Sequence, residues 1–254
     1  ESNNNSTEAM TNTAIFPDGV TSWTHVAFTI PTSGTMGIYV NGVAQTLDGT
    51  KDGDMSGITV GDFSSTVDLF IGCRNTNGSP EGFYNGYIAD VRFQDSVLTA
   101  AEIGVLSSKI NVAYELVNST QPTGWYKLTN NNTSNSGSGG GTPTVTGTTR
   151  VYDVFSVDVQ DNSTTMGHAN IYQGKLNPKS LAYPNLDGSA DYVPTPSALQ
   201  AELRTSHSWS AWVKSDDGVD GDNNAILGSR NAANEDGVLF YISTSGKLTY
   251  YYSS

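Results

Sequence analysis

Residues 83–103 read FYNGYIADVRFQDSVLTAAEI, and this stretch decides the fold. From Tyr87 to Gln94 the residues alternate with a period of two, which is typical of a pleated strand with one buried face. Gly86 allows a bend or bulge at the start of that strand. Thr99, with Glu102 three residues later, forms a capping-box pattern that predicts one short helical turn. We therefore expect a strand, a tight turn and a capped helix in succession.

Composition favours an all-β chain. The 254 residues are 36% hydrophobic and 15% charged, with 27 glycines, and Thr, Ser, Val, Tyr and Asn are frequent. The net charge of −13, with only 12 basic residues, argues against nucleic acid and anionic membranes as partners. No apolar run is long enough to span a bilayer. Because the chain starts at Glu1 without an initiator methionine, we expect it to be a processed or trimmed piece of a longer polypeptide.

Further strands are predicted by the same alternation. Residues 23–30 (WTHVAFTI) place Val26 and Phe28 on one face, and residues 37–43 (GIYVNGV) contain Asn41-Gly42, a strong two-residue hairpin signal. Residues 1–22 are polar and are interpreted as a loop. Four tryptophans lie in strand patterns and are expected to be buried: Trp23, Trp125, Trp209 and Trp212.

These segments resemble the laminin G-like domains of the concanavalin A-like class. In that family a "G-x-I-x-D-V-R" strand leads into "L-S/T-x-x-E-I", and the "W-x-H-V-A-F" and "I-Y-V-N-G-V" strands are consecutive. Residues 186–193 (LDGSADYV) and 208–214 (SWSAWVK) resemble the "L-D-G-x-x-D-Y-V" and "S-x-S-A-W-V" strands. The resemblance implies an antiparallel two-sheet jelly-roll sandwich.

The order of the two halves is permuted relative to the family. Residues 1–108 resemble its C-terminal half and residues 111–254 its N-terminal half, while residues 129–149 form a loop rich in Ser, Gly and Asn. The chain could be a circular permutant, a window on a longer array, or a subunit completed by neighbouring copies. We favour one permuted sandwich spanning 1–254, with Glu1 and Ser254 close together and the strand at Tyr251 near the strand at Val26.

No catalytic residues are predicted. The paired carboxylates of the glycosidases in this class, "E-x-D-x-x-E", have no counterpart here, and the glutamates are scattered. A nucleophile elbow and a zinc cluster are also absent from the sequence. His25 and Cys73 lie in strand patterns and are interpreted as structural.

Two acidic loops are candidates for calcium. Asp216, Asp217, Asp220 and Asp222 concentrate four carboxylates in one loop, where a hard cation would relieve their repulsion. The second candidate is Asp52, Asp54 and Ser56, with oxygens spaced as at the start of an EF-hand loop but with Phe63 at position 12. The alternative for both is a solvated hairpin.

Tyr250, Tyr251 and Tyr252 alternate in a strand, so one or two of them must point outward and could contact a ligand. The leading functional hypothesis is a non-catalytic, lectin-like module of an extracellular, cell-surface or virion protein. Its partners would be glycans or other copies of itself, in binding or in structural adhesion and assembly. The alternative is a glycoside hydrolase or lyase of the same class.

Overall fold

In the computed structural model, residues 6–19, 21–60, 68–118, 120–128, 135–139, 149–151, 183–195, 199, 205–218, 223–231 and 237–253 are described. In chain order the strands are β1 (Ser6–Thr11), β2 (Thr24–Ile30), β3 (Gly37–Val40), β4 (Val43–Ala44), β5 (Leu47–Asp52), β6 (Phe70–Ile71), β7 (Arg74–Thr76), β8 (Ser79–Glu81), β9 (Asn85–Gln94), β10 (Gly124–Tyr126), β11 (Thr149–Val151), β12 (Tyr183–Asp187), β13 (Val193–Pro194), β14 (His207–Ser215), β15 (Asn224–Arg230), β16 (Gly237–Ile242) and β17 (Leu248–Ser253). Helix α1 spans Ala100–Leu106, and a short 3-10 helix spans Tyr114–Leu116. No helix in these ranges is long and apolar enough to cross a membrane.

Two large antiparallel sheets form a sandwich, as the sequence predicts. The seven-stranded sheet has the order β13-β6-β15-β16-β17-β1-β5. The eight-stranded sheet has the order β11-β12-β9-β14-β2-β3-β4, with β10 also paired to β9. The hairpin of β7 and β8 lies beside β15. The fold is therefore all-β and consistent with a concanavalin A-like sandwich.

The core lies between the inner faces of the two sheets. The Phe28 ring stacks on Tyr250 with centroids 4.1 Å apart, and it also packs on Trp209 at 4.5 Å. Val26, Phe28 and Ile30 all join this core, which confirms the predicted inner face of β2. Because Phe28 and Tyr250 belong to opposite sheets, their contact fixes one sheet against the other.

Strands from both ends of the sequence share each sheet. In the seven-stranded sheet β1 pairs with β17, with Ser6 opposite Ser253. In the eight-stranded sheet β14 lies between β2 and β9. Both large sheets thus combine strands from residues 6–94 with strands from residues 183–253. The correspondence of these segments to permuted family halves stays a prediction, and most of the predicted 129–149 loop lies outside the described residues.

Strand β9 contains a bulge at Asp90. The pairing of β9 with β14 shifts register between Ser210 and Trp212, and Asp90 has a φ of 51°. Aspartate is one of the few side chains that adopt this left-handed conformation routinely. The shift turns the Asp90 carboxylate towards Arg92 and Trp125, with which it forms hydrogen bonds.

Helix α1 covers part of the outer face of the eight-stranded sheet. Thr99 caps the helix, and the reciprocal hydrogen bonds with Glu102 form the predicted capping box. Ile103 and Leu106 are buried against Ala27 of β2. The Asn41-Gly42 turn also forms as predicted, with φ of 49° and 80°.

Two expectations about the first 60 residues are wrong in part. Residues 6–11 form strand β1 instead of a loop, because pairing with β17 and β5 satisfies the backbone of a polar segment. Trp125, Trp209 and Trp212 are buried as expected, whereas Trp23 is only partly buried.

Cys73 is buried, which raises the pKa of its thiol to about 12.

Candidate functional site

A concavity of about 260 Å³ lies on the outer face of the seven-stranded sheet, and we call it the outer groove. Its floor is formed by Leu239 and Tyr241 of β16 and Tyr251 of β17. Glu8 and Lys51, from β1 and β5, line one end, and Arg74 and Arg230, from β7 and β15, line the other. The groove therefore crosses several strands.

The alternation of β16 and β17 explains how the floor forms. Val238 and Phe240 face the core, so Leu239 and Tyr241 face outward. Tyr250 and Tyr252 likewise face the core and leave Tyr251 on the outer face, where it is partly exposed.

Pairing across the strands sets the layout of the groove. Leu239 lies opposite Tyr251, and Tyr251 lies opposite Glu8, so these three residues form one row across β16, β17 and β1. Side chains directly opposite each other on one face of a sheet are close enough to interact.

This arrangement corrects part of the tyrosine prediction. Tyr250 and Tyr252 are fully buried, and their rings are therefore inaccessible to a ligand. Tyr251 is the member of the triplet that lines the groove.

At one end of the groove, Glu8 is held by two neighbours. Tyr241 Oη donates a hydrogen bond of 2.9 Å to Glu8 Oε1, and Lys51 Nζ lies 2.9 Å from Glu8 Oε2. Burial and then the adjacent Glu8 carboxylate raise the pKa of the Tyr241 phenol well above its ordinary value. The phenol is therefore a neutral donor at any physiological pH. The two contacts fix the Glu8 carboxylate, whose remaining lone pairs can accept hydrogen bonds, and the Lys51 ammonium keeps N–H groups that can donate.

Two arginines, Arg74 and Arg230, line the other end of the groove. Arg74 Nη2 lies 3.0 Å from Glu81 Oε1, and the Thr76 hydroxyl donates to the same carboxylate. The Asn77 amide donates a 3.1 Å hydrogen bond to the carbonyl of Arg230, which fastens the β7–β8 turn to the end of β15.

Gly228 of β15 permits this close approach. A Cβ atom at Gly228 would lie 2.8 Å from Leu239 Cδ1 and 3.2 Å from the Cα of Arg74. A side chain at this position would therefore crowd Leu239 and require the Arg74 backbone to shift slightly. The glycine thus fixes the distance between the Arg74 backbone and the floor of the groove.

Sequence reasoning missed most of this site. Of the groove residues it singled out only Tyr251. The outward positions of β16 carried a signal, since the alternation of GVLFYI places Leu239 and Tyr241 on the same face. No local pattern could have brought Glu8, Lys51 and Arg74 to them, because these residues come from strands far away in the sequence.

The first acidic loop is described only in part. Asp216 and Asp217 lie within the described residues, whereas Asp220 and Asp222 lie outside them. Asp217 Oδ1 accepts a hydrogen bond of 3.4 Å from the Gly19 amide.

The second acidic loop is exposed, and its oxygens are engaged locally. The Asp54 amide donates to Asp52 Oδ1, and the Ser56 amide and hydroxyl donate to the Asp54 carboxylate. The hydrogen bonds from Ser56 lower the pKa of Asp54. Within the described ranges, no group of three or more His, Cys, Asp or Glu side chains could hold a metal ion. Calcium binding stays a prediction for both loops.

Two other ionisable groups have structural roles. Asp90 accepts hydrogen bonds from Arg92, from Trp125 Nε1 at 2.6 Å and from the Asn111 amide at 2.6 Å. These bonds tie β9 to β10 and to the chain after α1.

His25 is buried beside Trp212, and burial and then the Arg92 charge lower its pKa to about 3. His25 is therefore neutral at physiological pH.

Comparison with known proteins adds one match. Residues 1–104 match the family model of the concanavalin A-like lectin/glucanases superfamily. The resemblance to the concanavalin A-like class is thereby confirmed. No curated protein and no solved structure shows significant similarity to the chain. The match to this superfamily includes Glu8, Lys51 and Arg74, while Tyr241 and Tyr251 lie in the segment beyond it.

Proposed function

We propose that the chain is a non-catalytic, lectin-like module that binds glycans in the outer groove. The observation that carries this proposal is the partly exposed Tyr251 ring, set among side chains with fixed hydrogen-bonding geometry. Tyrosine offers a flat apolar face for a sugar ring and a polar edge for its hydroxyls. The Glu8–Tyr241 pair and the arginines add directional donors and acceptors, as ligand sites generally require.

The shape of the groove favours recognition of several sugar units. From β15 to β1 it crosses three strand spacings, or about 14 Å. An extended oligosaccharide lying across the strands would contact Leu239 and Tyr251 on the way. Such contacts suit weak, multi-point binding on an exposed surface.

The described lining of the groove fits binding of a glycan better than its hydrolysis. Glycosidases place two carboxyl groups about 5 to 9.5 Å apart on either side of the scissile bond. Among the described lining residues, Glu8 is the only carboxylate, and Lys51 and Tyr241 already occupy its oxygens. The superfamily includes both enzymes and non-enzymes. The single, engaged carboxylate of the described lining supports a lectin-like function for this chain.

We further propose an extracellular, cell-surface or virion setting, in which the module serves adhesion or assembly. The acidic, lysine-poor composition supports solubility in such a setting. Other copies of the chain are the second class of partner, and electron microscopy of the native assembly would reveal rings, fibres or shells.

A glycan array followed by a reducing-sugar assay tests the glycan-binding proposal. We expect binding without turnover, and we expect Tyr251→Ala to weaken binding about tenfold, which corresponds to about 1.4 kcal/mol. Tyr251→Phe should retain most of the affinity. Tyr114→Ala, a partly buried tyrosine of the 3-10 helix, is the matched control. Release of reducing ends would favour the hydrolase, and unchanged binding by Tyr251→Ala would remove the groove as the site.

Calcium is proposed as a weak accessory ligand of the loop that contains Asp216 and Asp217. Calorimetry with calcium before and after the Asp220→Asn and Asp222→Asn substitutions tests this. We expect a small heat that the two substitutions abolish. No heat and no change in melting temperature on adding calcium would eliminate the site.

A further inference from the structure

The outer groove ends at an ion pair that is open to solvent. Lys51 Nζ lies 2.9 Å from Glu8 Oε2, and the two side chains are 41% and 22% exposed. The Tyr241 hydroxyl donates a hydrogen bond of 2.9 Å to the other carboxylate oxygen of Glu8. Glu8 is therefore fixed from two sides, while the pair that it forms with Lys51 stays accessible to a ligand.

This ion pair presents a donor and an acceptor side by side. An ammonium group has three N–H donors, and a carboxylate has about four lone-pair positions. The contacts with Lys51 and Tyr241 occupy one position on each oxygen of Glu8, and the other positions can accept further hydrogen bonds. Lys51 likewise keeps N–H groups that can donate. Because the two charges of the pair cancel, a neutral ligand fits it better than an ion of either sign.

Two hydroxyls on neighbouring carbons of a sugar ring match the spacing of this pair. In a gauche arrangement their oxygens are about 2.9 Å apart, close to the length of an N–H···O hydrogen bond. One hydroxyl can donate to Glu8 while the oxygen of its neighbour accepts from Lys51. A single hydroxyl would have to bridge both ions from one oxygen at a narrow angle, which weakens the hydrogen bonds.

Tyr251 lies beside the ion pair and can hold the sugar ring in place. It is directly opposite Glu8 in the register of β17 and β1, where the Cβ atoms of facing residues are about 5 Å apart. A sugar ring stacked on Tyr251 therefore directs the hydroxyls of one edge towards Glu8 and Lys51. Leu239, opposite Tyr251 on the other side, extends the apolar floor beneath the next sugar unit.

We propose, building on the glycan-binding function above, that Glu8 and Lys51 bind a free vicinal diol on an internal unit of a neutral glycan. The linkage of the glycan decides whether such a diol exists. An internal unit of a 1,4-linked pyranose chain keeps adjacent hydroxyls at carbons 2 and 3. In a 1,3-linked chain carbon 3 is substituted, so the remaining ring hydroxyls, at carbons 2 and 4, are not adjacent. Glu8 and Lys51 therefore select 1,4-linked over 1,3-linked chains.

Calorimetry on the full chain with isomeric oligosaccharides tests this inference. The probes are the methyl glycosides of β-1,4-linked xylopentaose, of β-1,3-linked xylopentaose, and of a β-1,4-linked analogue that lacks the hydroxyls at carbon 3. We expect the intact 1,4-linked compound to bind about tenfold more tightly than the other two, which corresponds to about 1.4 kcal/mol. Because the ligand is neutral, its affinity should change by less than about twofold as salt is added.

The Lys51→Met variant locates the diol. Methionine removes the ammonium donor and keeps an unbranched side chain, so the preference for the 1,4-linked compound should fall to about twofold or less. The weaker binding of the 1,3-linked isomer should be retained. Lys51→Arg should keep part of the preference, and Lys109→Met, at an exposed lysine after α1, should keep all of it. Melting temperatures of all variants verify that the fold is unchanged.

The outcomes separate this inference from the function on which it rests. Equal affinity for the three pentasaccharides overturns the inference and leaves glycan binding standing. An analogue that lacks the carbon-3 hydroxyls but binds as tightly as the intact compound overturns it as well, because the linkage alone then determines the preference. A preference that survives in Lys51→Met removes the ion pair as the diol site.

The glycan array supplies the remaining distinction. If none of the pentasaccharides binds while other glycans on the array bind and depend on Tyr251, the inference is overturned and the groove stays the glycan site. If no glycan on the array binds either, both proposals are overturned.

Discussion

Tyr241 donates a hydrogen bond of 2.9 Å to Glu8 across 233 positions of sequence. Tyr241 lies on β16 and Glu8 on β1, with β17 between them. The contact therefore joins the first and last segments of the chain on the floor of the outer groove. A groove of this composition forms only when both segments are folded together.

The first prediction concerns this contact. Removing the hydroxyl in Tyr241→Phe should cost about 1.5 kcal/mol of unfolding free energy, since the partner is a carboxylate and the hydrogen bond is partly buried. Lys51→Gln should cost less, about 0.5 kcal/mol, because the Lys51 side chain is 41% exposed and its ion pair is screened. Urea unfolding of Tyr241→Phe, Glu8→Ala and the double variant gives the coupling between the two residues. Additive effects of the two substitutions would mean that the bond contributes nothing in solution.

The second prediction concerns the buried pair of Asp90 and Arg92. Asp90→Asn should destabilise the fold by about 3 kcal/mol, because it leaves the Arg92 guanidinium buried without its counter-ion. Asparagine tolerates the left-handed backbone of the bulge, so the change removes the charge and one acceptor oxygen without straining the chain. Chemical unfolding measures the loss. The exposed neighbour Asp95 is the control, and Asp95→Asn should change stability by less than about 0.5 kcal/mol. Equal effects at both positions would contradict an electrostatic role for Asp90.

The fold was predictable from the sequence because its signals are local. The capping box from Thr99 to Glu102, the Asn41-Gly42 turn and the alternation in β2 each depend on a few neighbouring residues. The bulge at Asp90 was not predicted, because the register of β9 depends on its partner β14 and not on β9 alone.

The candidate site was mostly beyond sequence reasoning. Glu8, at one end of the groove, lies in a polar segment that forms a strand through pairing with β17 and β5. Arg74 reaches the groove because Gly228 lets a distant hairpin approach β15. Tyr251 was accessible to prediction, since the strict alternation of a strand requires at least one residue of three consecutive tyrosines to face outward.

The third prediction concerns the cap of α1. Thr99→Ala removes the side-chain acceptor for the Glu102 amide and should destabilise the fold by about 1 kcal/mol. Thr99→Ser, which keeps the hydroxyl, should cost less. Thermal unfolding compares both with Thr46→Ala, an exposed threonine outside any cap. A loss at Thr99 no larger than that at Thr46 would show that packing of Ile103 and Leu106 alone holds the helix.

The last prediction concerns His207, whose burial makes stability depend on pH. His207 is 1% exposed, and its Nδ1 lies 2.6 Å from the Thr205 carbonyl, to which it donates in the neutral form. Burial lowers the pKa of His207 from 6.5 to about 4, despite the opposing effect of the Thr205 carbonyl. The unfolded chain therefore binds a proton more readily than the folded protein below pH 6.5. Stability contributed by the neutral ring is complete above that pH and is lost as the pH falls towards 4. At pH 4.5 the loss from this residue should amount to about 2.5 kcal/mol.

Asparagine does not titrate and keeps a donor for Thr205, so His207→Asn should be less stable at pH 7 but should lose less stability between pH 7 and pH 4.5. Urea unfolding at the two pH values, with carboxylate effects common to both proteins, measures the difference. An equal pH-dependent loss in the variant and the parent chain would mean that the imidazole is not held neutral by burial.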